Sequence, residues 1–213
     1  MPARLRPTAP IAPDAILVGD PGRALMLAQE LLEQPKMSNH ARGLWGYSGT
    51  TQTGHELTIQ STGMGGPSAS VVLGDLAGLG VRRAIRIGTC SSLSDLELGE
   101  LLLVDEAHSP GRAASRPDPA LTIALGEALA EAVSGVVVSL DTLFRPEAEI
   151  PSMTAEAADM QSAGLLSSAT AHGVAAAAVL IAAERSDAGQ LREEDLEETA
   201  RRVGRAASGV LST

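Results

Sequence analysis

Aromatic residues are almost missing from this 213-residue chain, which holds one Trp, one Tyr and one Phe. Its core must then be assembled from Ala, Val, Leu and Ile, a composition that suits a sheet covered by closely packed helices. Cysteine is as scarce. The lone Cys90 excludes an internal disulfide framework and a Cys-based zinc cluster, and it fits a reducing cytoplasm. No apolar run reaches the roughly 18 residues of a membrane span, so no membrane association is expected. The N-terminus, MPARLRPTAPIAPDA, is rich in proline and has no apolar signal core, so no secretion signal is expected either. Basic charge is in deficit: 16 Lys and Arg stand against 26 Asp and Glu, a net charge of −10. That balance argues against nucleic acid as a partner, because such a partner needs a basic surface. An acidic protein can still hold one small anion where a few arginines converge.

What is present reads as one α/β domain over residues 1–213, with strands and helices alternating and neither a linker nor an internal repeat. Ala15 to Val18 is a short apolar run closed by Gly19-Asp20-Pro21, and Ala24 to Leu32 follows as a helix. Trp45 to Thr51 and Glu56 to Ser61 flank a turn at Gly54 and form a hairpin. Pro67 opens a helix that runs to Leu79. Ala84 to Ile87 is a buried strand ending at Gly88, Leu101 to Asp105 a second, and Val136 to Ser139 a third. His108 to Pro119 is an exposed connection. Leu121 to Val133 and Glu194 to Leu211 have helical periodicity. Ala169 to Ala183 admits two readings: helix by alanine propensity, or a stop at His172-Gly173 followed by a buried strand over Val174 to Ile181.

Chemistry can gather at the strand ends. Gly19-Asp20-Pro21-Gly22-Arg23 hands a strand to a helix, where unpaired N–H groups and the helix dipole favour an anion and Arg adds charge-assisted bonds. The competing reading is an ordinary turn. Thr62-Gly63-Met64-Gly65-Gly66 lacks the third glycine of a dinucleotide fingerprint, and no P-loop Lys follows. Arg86, inside an apolar strand, must either be paired internally or face a ligand, since a lone buried charge is costly. Thr89 offers a hydroxyl and an N–H close by. Ser186-Asp187 closes the last apolar segment, either as a helix cap or as a carboxyl acting as general acid. His40, His55, His108 and His172 are scattered without metal spacing. Gly66-Pro67-Ser68-Ala69-Ser70 fails the nucleophile-elbow pattern at its last position.

In order along the chain, Gly19-Asp20-Pro21-Gly22-Arg23, Arg42-Gly43, Gly49-Thr50, Thr62-Gly63-Met64-Gly65, Arg86-Ile87-Gly88-Thr89-Cys90, Ser139-Leu140-Asp141-Thr142, Asp159-Met160-Gln161-Ser162-Ala163 and Ser186-Asp187 resemble the purine nucleoside and uridine phosphorylase family. The resemblance implies a three-layer α/β/α sandwich around a mixed sheet that partly closes into a barrel. It implies a pentosyltransferase that joins inorganic phosphate to a nucleoside, purine preferred over uridine, with no metal or organic cofactor. Gly19, Arg23, Arg86 and Thr89 would bind phosphate. Arg42 would reach a neighbouring subunit's phosphate site, which implies a homo-oligomer, at least a dimer and by family habit a hexamer. Met160 and Gln161 would hold the ribose. Cys90, Ser91, Leu143, Phe144, Asp159 and Ser186 would line the base, and Asp187, assisted by Arg192, would protonate the leaving purine.

The chain departs from that pattern on the nucleoside side. Gln161 stands where the family carries Glu, Ser91 replaces a glycine, and Leu143 takes an aromatic position with Phe144 beside it. Ala9-Pro10 lies near the place of a missing N-terminal His. The Gln and Arg that read uracil in the uridine branch are not found after Pro146. Besides a phosphorylase, two readings stay open: a nucleosidase that uses water, and a non-catalytic binder of nucleoside or phosphate.

Overall fold

The computed structural model of the protein describes residues 3–142 and 155–213. Leu143, Phe144 and the segment after Pro146 lie outside the described residues. Among the described residues ten strands form one mixed sheet: β1 (Asp14–Val18), β2 (Glu33–Asn39), β3 (Gly46–Thr50), β4 (Glu56–Ser61), β5 (Arg83–Ser92), β6 (Leu101–His108), β7 (Val133–Ser139), β8 (Ala157–Asp159), β9 (Ala175–Arg185) and β10 (Gly189–Gln190). Their order is β10-β9-β6-β7-β8-β5-β1-β4-β3-β2, with a further pairing of β9 to β5. That extra pairing closes β5, β9, β6, β7 and β8 into a five-stranded barrel, while β1, β4, β3 and β2 extend from it as an open wing. The expected partly closed sheet is present.

Five helices among the described residues, α1 (Pro21–Leu31), α2 (Gly66–Gly78), α3 (Pro119–Ala128), α4 (Ser162–His172) and α5 (Glu193–Leu211), complete the layers. Strand alternation sorts the core in two. Ile16, Val18, Ile85, Ile87, Val179 and Ile181 face one way and pack with α1, α3 and α5. Ala15, Leu17, Ala84, Ala178 and Leu180 face the other way and pack with α2 and α4. The second face is rich in alanine, and such small side chains let helices approach the sheet closely without aromatics. Arg86 shares its strand face with Ala84, so its side chain points toward α2 and α4.

Local chemistry sets the helix ends. Asp20 caps α1 by accepting the Arg23 amide at 2.8 Å, with Pro21 in the first turn. Asp118 caps α3 in the same way. Gly173, at φ 67°, ends α4 in the left-handed conformation, and β9 follows. The strand reading of Val174 to Ile181 therefore holds, extended to Arg185. Helix α5 carries Glu193, Glu194 and Asp195 in its first turn, where the dipole favours them, and buries Leu196, Ala200, Val203 and Ala207.

Two expectations need correcting. Strand β5 does not end at Gly88. It runs on to Ser92, leaving β1 after Ile87 and taking antiparallel β8 at Ser91 and Ser92. Helix α3 stops at Ala128, because Val133 already belongs to β7, which pairs with β6 from Leu102. Strand β2, which shows no alternation, forms the free edge of the wing. Among the described residues no helix is long and apolar enough to cross a membrane.

Candidate active site

A cleft of about 550 Å³ opens where β1, β4 and β8 end and β5 crosses beneath them. Its walls are the Gly19-Asp20-Pro21 turn, the Gly63-Met64-Gly65 turn, and Asp159, Met160 and Gln161, with Arg23, Arg86, Gly88 and Thr89. Crevices beyond the carboxyl ends of strands are where open α/β sheets bind ligands. Three helices also begin here, so their N–H groups point inward. They are not equally available. The first amides of α4 are taken: Ser162 N–H donates to Asp159 Oδ2 at 3.0 Å and Ala163 N–H to Ser139 Oγ at 2.9 Å. Helix α2 has Gly65 as its cap and no side-chain bond there, which leaves its first amides open to a ligand.

Arg86 is paired internally and also lines the cleft. It is 4% exposed. Its Nη2 donates to Asp159 Oδ2 at 3.0 Å, its Nη1 to Gln161 Oε1 at 2.7 Å and its Nε to Ser162 Oγ at 3.2 Å. The guanidinium folds back over Gly88: a Cβ there would lie 2.6 Å from Arg86 Nη2. Three bonds leave two of its five N–H donors for a ligand. Asp159 is anchored in turn by Ser139 Oγ at 2.5 Å and Ser162 Oγ at 2.7 Å.

Arg23 differs. Among the described residues it makes no ion pair, and its guanidinium makes no hydrogen bond. Burial lowers its pKa below the ordinary arginine value, Asp20 and Glu193 oppose that fall, and the neighbouring charge of Arg86 adds to it. Two guanidinium groups thus converge on one cleft whose two carboxylates are both engaged, Asp159 by the Arg86 guanidinium and Asp20 by the Arg23 amide. Such a site favours an anion. Thr89, half-buried at the floor, has a hydroxyl without a partner among the described residues.

The remaining site expectations fall elsewhere. Arg42 does not line the cleft; it is exposed in the 3₁₀ turn Ala41–Gly43 at φ 62° and is unpaired among the described residues. Cys90 is buried, and desolvation pushes its thiol up to about 12. Ser91 Oγ donates to Glu184 Oε2 at 2.9 Å. Ser186 and Asp187 sit in the exposed turn between β9 and β10 and cap no helix. Asp187 takes the fork of Arg185, Nε at 2.7 Å and Nη2 at 3.1 Å, and that bond holds its carboxyl below the usual carboxylate range. Arg192 is the cap residue of α5 and pairs with Asp195 at 2.8 Å. Sequence reasoning missed Thr62, Ser139 and Ser162 as supports of the site. The Ser162 signal was present, a serine at the start of a helical run.

The family model of the phosphorylase superfamily matches residues 13–213. The chain is a member of the phosphorylase superfamily. It is 31% identical over 190 residues to the DeoD-type purine nucleoside phosphorylase of Caldanaerobacter subterraneus subsp. tengcongensis, covering 80% of this chain and 82% of that one. A higher identity, 39% over 99 residues, relates it to the DeoD-type purine nucleoside phosphorylase of Oceanobacillus iheyensis. That stretch covers 46% of this chain and 42% of the relative, less than half of its length. Among solved structures, the purine nucleoside phosphorylase from Toxoplasma gondii in complex with immucillin-H superposes with a TM-score of 0.84. It is 23% identical and the match covers 94% of this chain and 92% of that one, a likeness that shows the superfamily fold. The barrel with its open wing is thus the superfamily's fold in this chain.

Proposed function

We propose that this chain cleaves the N-glycosidic bond of a nucleoside with inorganic phosphate, giving free base and a pentose 1-phosphate, with purine nucleosides as substrates. The observation that carries the reading is the convergence of Arg23 and Arg86 on a cleft edged by the open N-terminus of α2. A phosphate oxygen forms the bond to C1′ as the C1′–N bond breaks and the base departs with the bonding pair and takes a proton. The bond breaks through a cationic sugar, so an anion fixed beside it acts as nucleophile and electrostatic stabiliser together. The names of the DeoD-type relatives support purine nucleosides as the substrate class. Water would need no cationic cradle, which weighs against hydrolysis.

Asp187 is proposed as the proton donor to the base. Its pairing with Arg185, outside the cleft lining, favours a second reading in which the chain binds phosphate and nucleoside without turnover. Arg42 and the rim residue Met64, 86% exposed, support a dimer in which Arg42 completes the cleft of a second copy.

Arg23→Ala tests the reading cleanly because this side chain supports nothing else. Phosphorolysis of inosine should fall by about 10²–10³-fold in kcat/KM while the melting temperature without phosphate stays unchanged. Tight binding of inosine by the unaltered protein, with no ribose 1-phosphate formed, would establish the binder instead.

A further inference from the structure

The exposed Arg42 stands on a turn that two buried amides hold from beneath. Asn39, the last residue of β2, is 1% exposed, and Gln60 of β4 is fully buried. Asn39 Nδ2 donates to the Leu44 carbonyl and lies 3.4 Å from the Ala41 carbonyl, so one side chain closes the chain from residue 39 to residue 44. Gln60 Nε2 donates to the same Leu44 carbonyl at 3.0 Å. Asn39 Oδ1 in turn accepts the Arg6 amide at 2.8 Å. Turning the Asn39 amide over would set Oδ1 against the Leu44 oxygen and Nδ2 against the Arg6 N–H, so its orientation is fixed by its neighbours.

Between those anchors the chain takes two left-handed residues in succession, Arg42 at φ 62° and Gly43 at φ 69°. Glycine adopts that conformation freely and arginine does not, so Arg42 stays there only while the ends of the turn are held. Its guanidinium has no partner among the described residues and is absent from the lining of its own cleft. The turn still touches the rim, since Leu44 Cδ2 lies 3.1 Å from where a Gly63 Cβ would be. We infer that Asn39 is a positioning residue: its amide holds the Ala41–Gly43 turn in the conformation that presents Arg42 to the anion in a second copy's cleft. The inference rests on the reading in which Arg42 completes that cleft. A long exposed side chain loses freedom when it docks, and a backbone fixed beforehand lowers that cost. The amide is what the turn requires. A carboxylate at position 39 would keep the shape and the acceptor for Arg6, yet set a negative oxygen against the Leu44 and Ala41 carbonyls.

A double-mutant cycle decides it. Inorganic phosphate is titrated calorimetrically into the unaltered protein, Asn39→Asp, Arg42→Ala and the double variant. Arg42→Ala should weaken phosphate by about tenfold, the loss of one charge-assisted contact. Asn39→Asp should weaken it by about three- to tenfold while Arg42 is present, and by less than about twofold once Arg42 is alanine, because a residue that acts through another adds nothing after that other is gone. Equal losses in both backgrounds overturn the inference, for Asn39 would then only support the Gly63 turn through Leu44. Unweakened phosphate in Asn39→Asp overturns it as well. Should the buried carboxylate prevent folding, Asn39→Ser removes the bond to Leu44 without adding a charge, and the same two outcomes decide. Gly43→Val loosens the turn from outside: nothing lies within 4 Å of a Cβ there, so the only cost is the strain of φ 69°. Its loss of phosphate affinity should likewise vanish in the Arg42→Ala background, and a loss that persists there overturns the inference. If Arg42→Ala itself binds phosphate as the unaltered protein does, the shared cleft falls and takes the inference with it; a weakened Arg42→Ala beside an unweakened Asn39→Asp sinks the inference alone.

Discussion

At the scale of the residue, the site is governed by how one strand stores a guanidinium. Arg86 and Gly88 lie two apart on one face of β5, so the folded arginine occupies the volume that any side chain at position 88 would need. A Cβ at Gly88 would meet Arg86 Cζ at 2.7 Å and Leu180 Cδ2 at 2.7 Å; the first side chain is pinned by three hydrogen bonds and the second is fully buried, so neither end yields freely. Gly88→Ala should therefore lower stability by about 1–3 kcal/mol, as overpacking does. It should also abolish the rise in melting temperature that phosphate gives, both read from thermal unfolding with and without phosphate. Burial governs Cys90 two residues on. Its folded pKa is raised above the unfolded value, so this group's contribution is fully present below the unfolded pKa and is lost as pH rises toward about 12. At pH 8 the native thiol should resist an aromatic disulfide reagent and react at once when denaturant is added. The burial cost of a lone charge made Arg86 legible in the sequence. Its anchors were not, because Ser139 and Thr62 are neutral and lie far from it along the chain, and Asp159 read as a residue facing the base.

At the scale of the element, α2 and α4 meet at their N-termini, where Gly66 faces Gly164. A Cβ on Gly164 would lie 3.0 Å from both the Cα and the carbonyl oxygen of Gly66. Backbone meets backbone there, and Ser70 Oγ bridges the two, lying 2.9 Å from the carbonyls of both Gly66 and Gly164 with its single proton shared between them. The first turn of α4 carries Ser162 and follows Gln161, both partners of Arg86. Gly164→Val should push the helices apart, cost about 1–3 kcal/mol in denaturant unfolding, and weaken phosphate binding through that displaced turn. Helices and central strands were legible because their caps and apolar runs are local: Asp20-Pro21, Pro67 and His172-Gly173 each mark an end that the structure keeps. The wing edge was not. Strand β2, Glu33–Asn39, is held by backbone bonds to β3 with a shifted register and buries only Ser38 and Asn39 fully, so no periodicity announces it. Helix α3 read too long because its leucines and alanines continue into a segment that the barrel claims as β7.

At the scale of the whole molecule, the cleft has two cationic contributors of its own and an exposed one that points elsewhere. Arg42 adopts φ 62°, an uncommon conformation for a side chain of its size, on a 3₁₀ turn next to the cleft rim, where Leu44 packs at 3.1 Å from the position of a Gly63 Cβ. Backbone held in a sparsely populated region persists where the surroundings require it. A second copy seated on this rim would bury Met64 and part of Trp45 and bring Arg42 to the anion. Subunits carrying Arg42→Ala and subunits carrying Arg23→Ala should each be nearly inactive in phosphorolysis. Co-expressed, they should recover a measurable part of the activity, because a hybrid pair holds one cleft with both arginines intact. A lone Arg42→Ala protein with full activity would sink the shared site, as would sedimentation showing the unaltered protein active as a monomer. Salt supplies an independent readout: a cleft completed by an arginine from another chain should lose phosphate affinity steeply as ionic strength rises, since that arginine is held there by the interface and is exposed to screening until the interface closes.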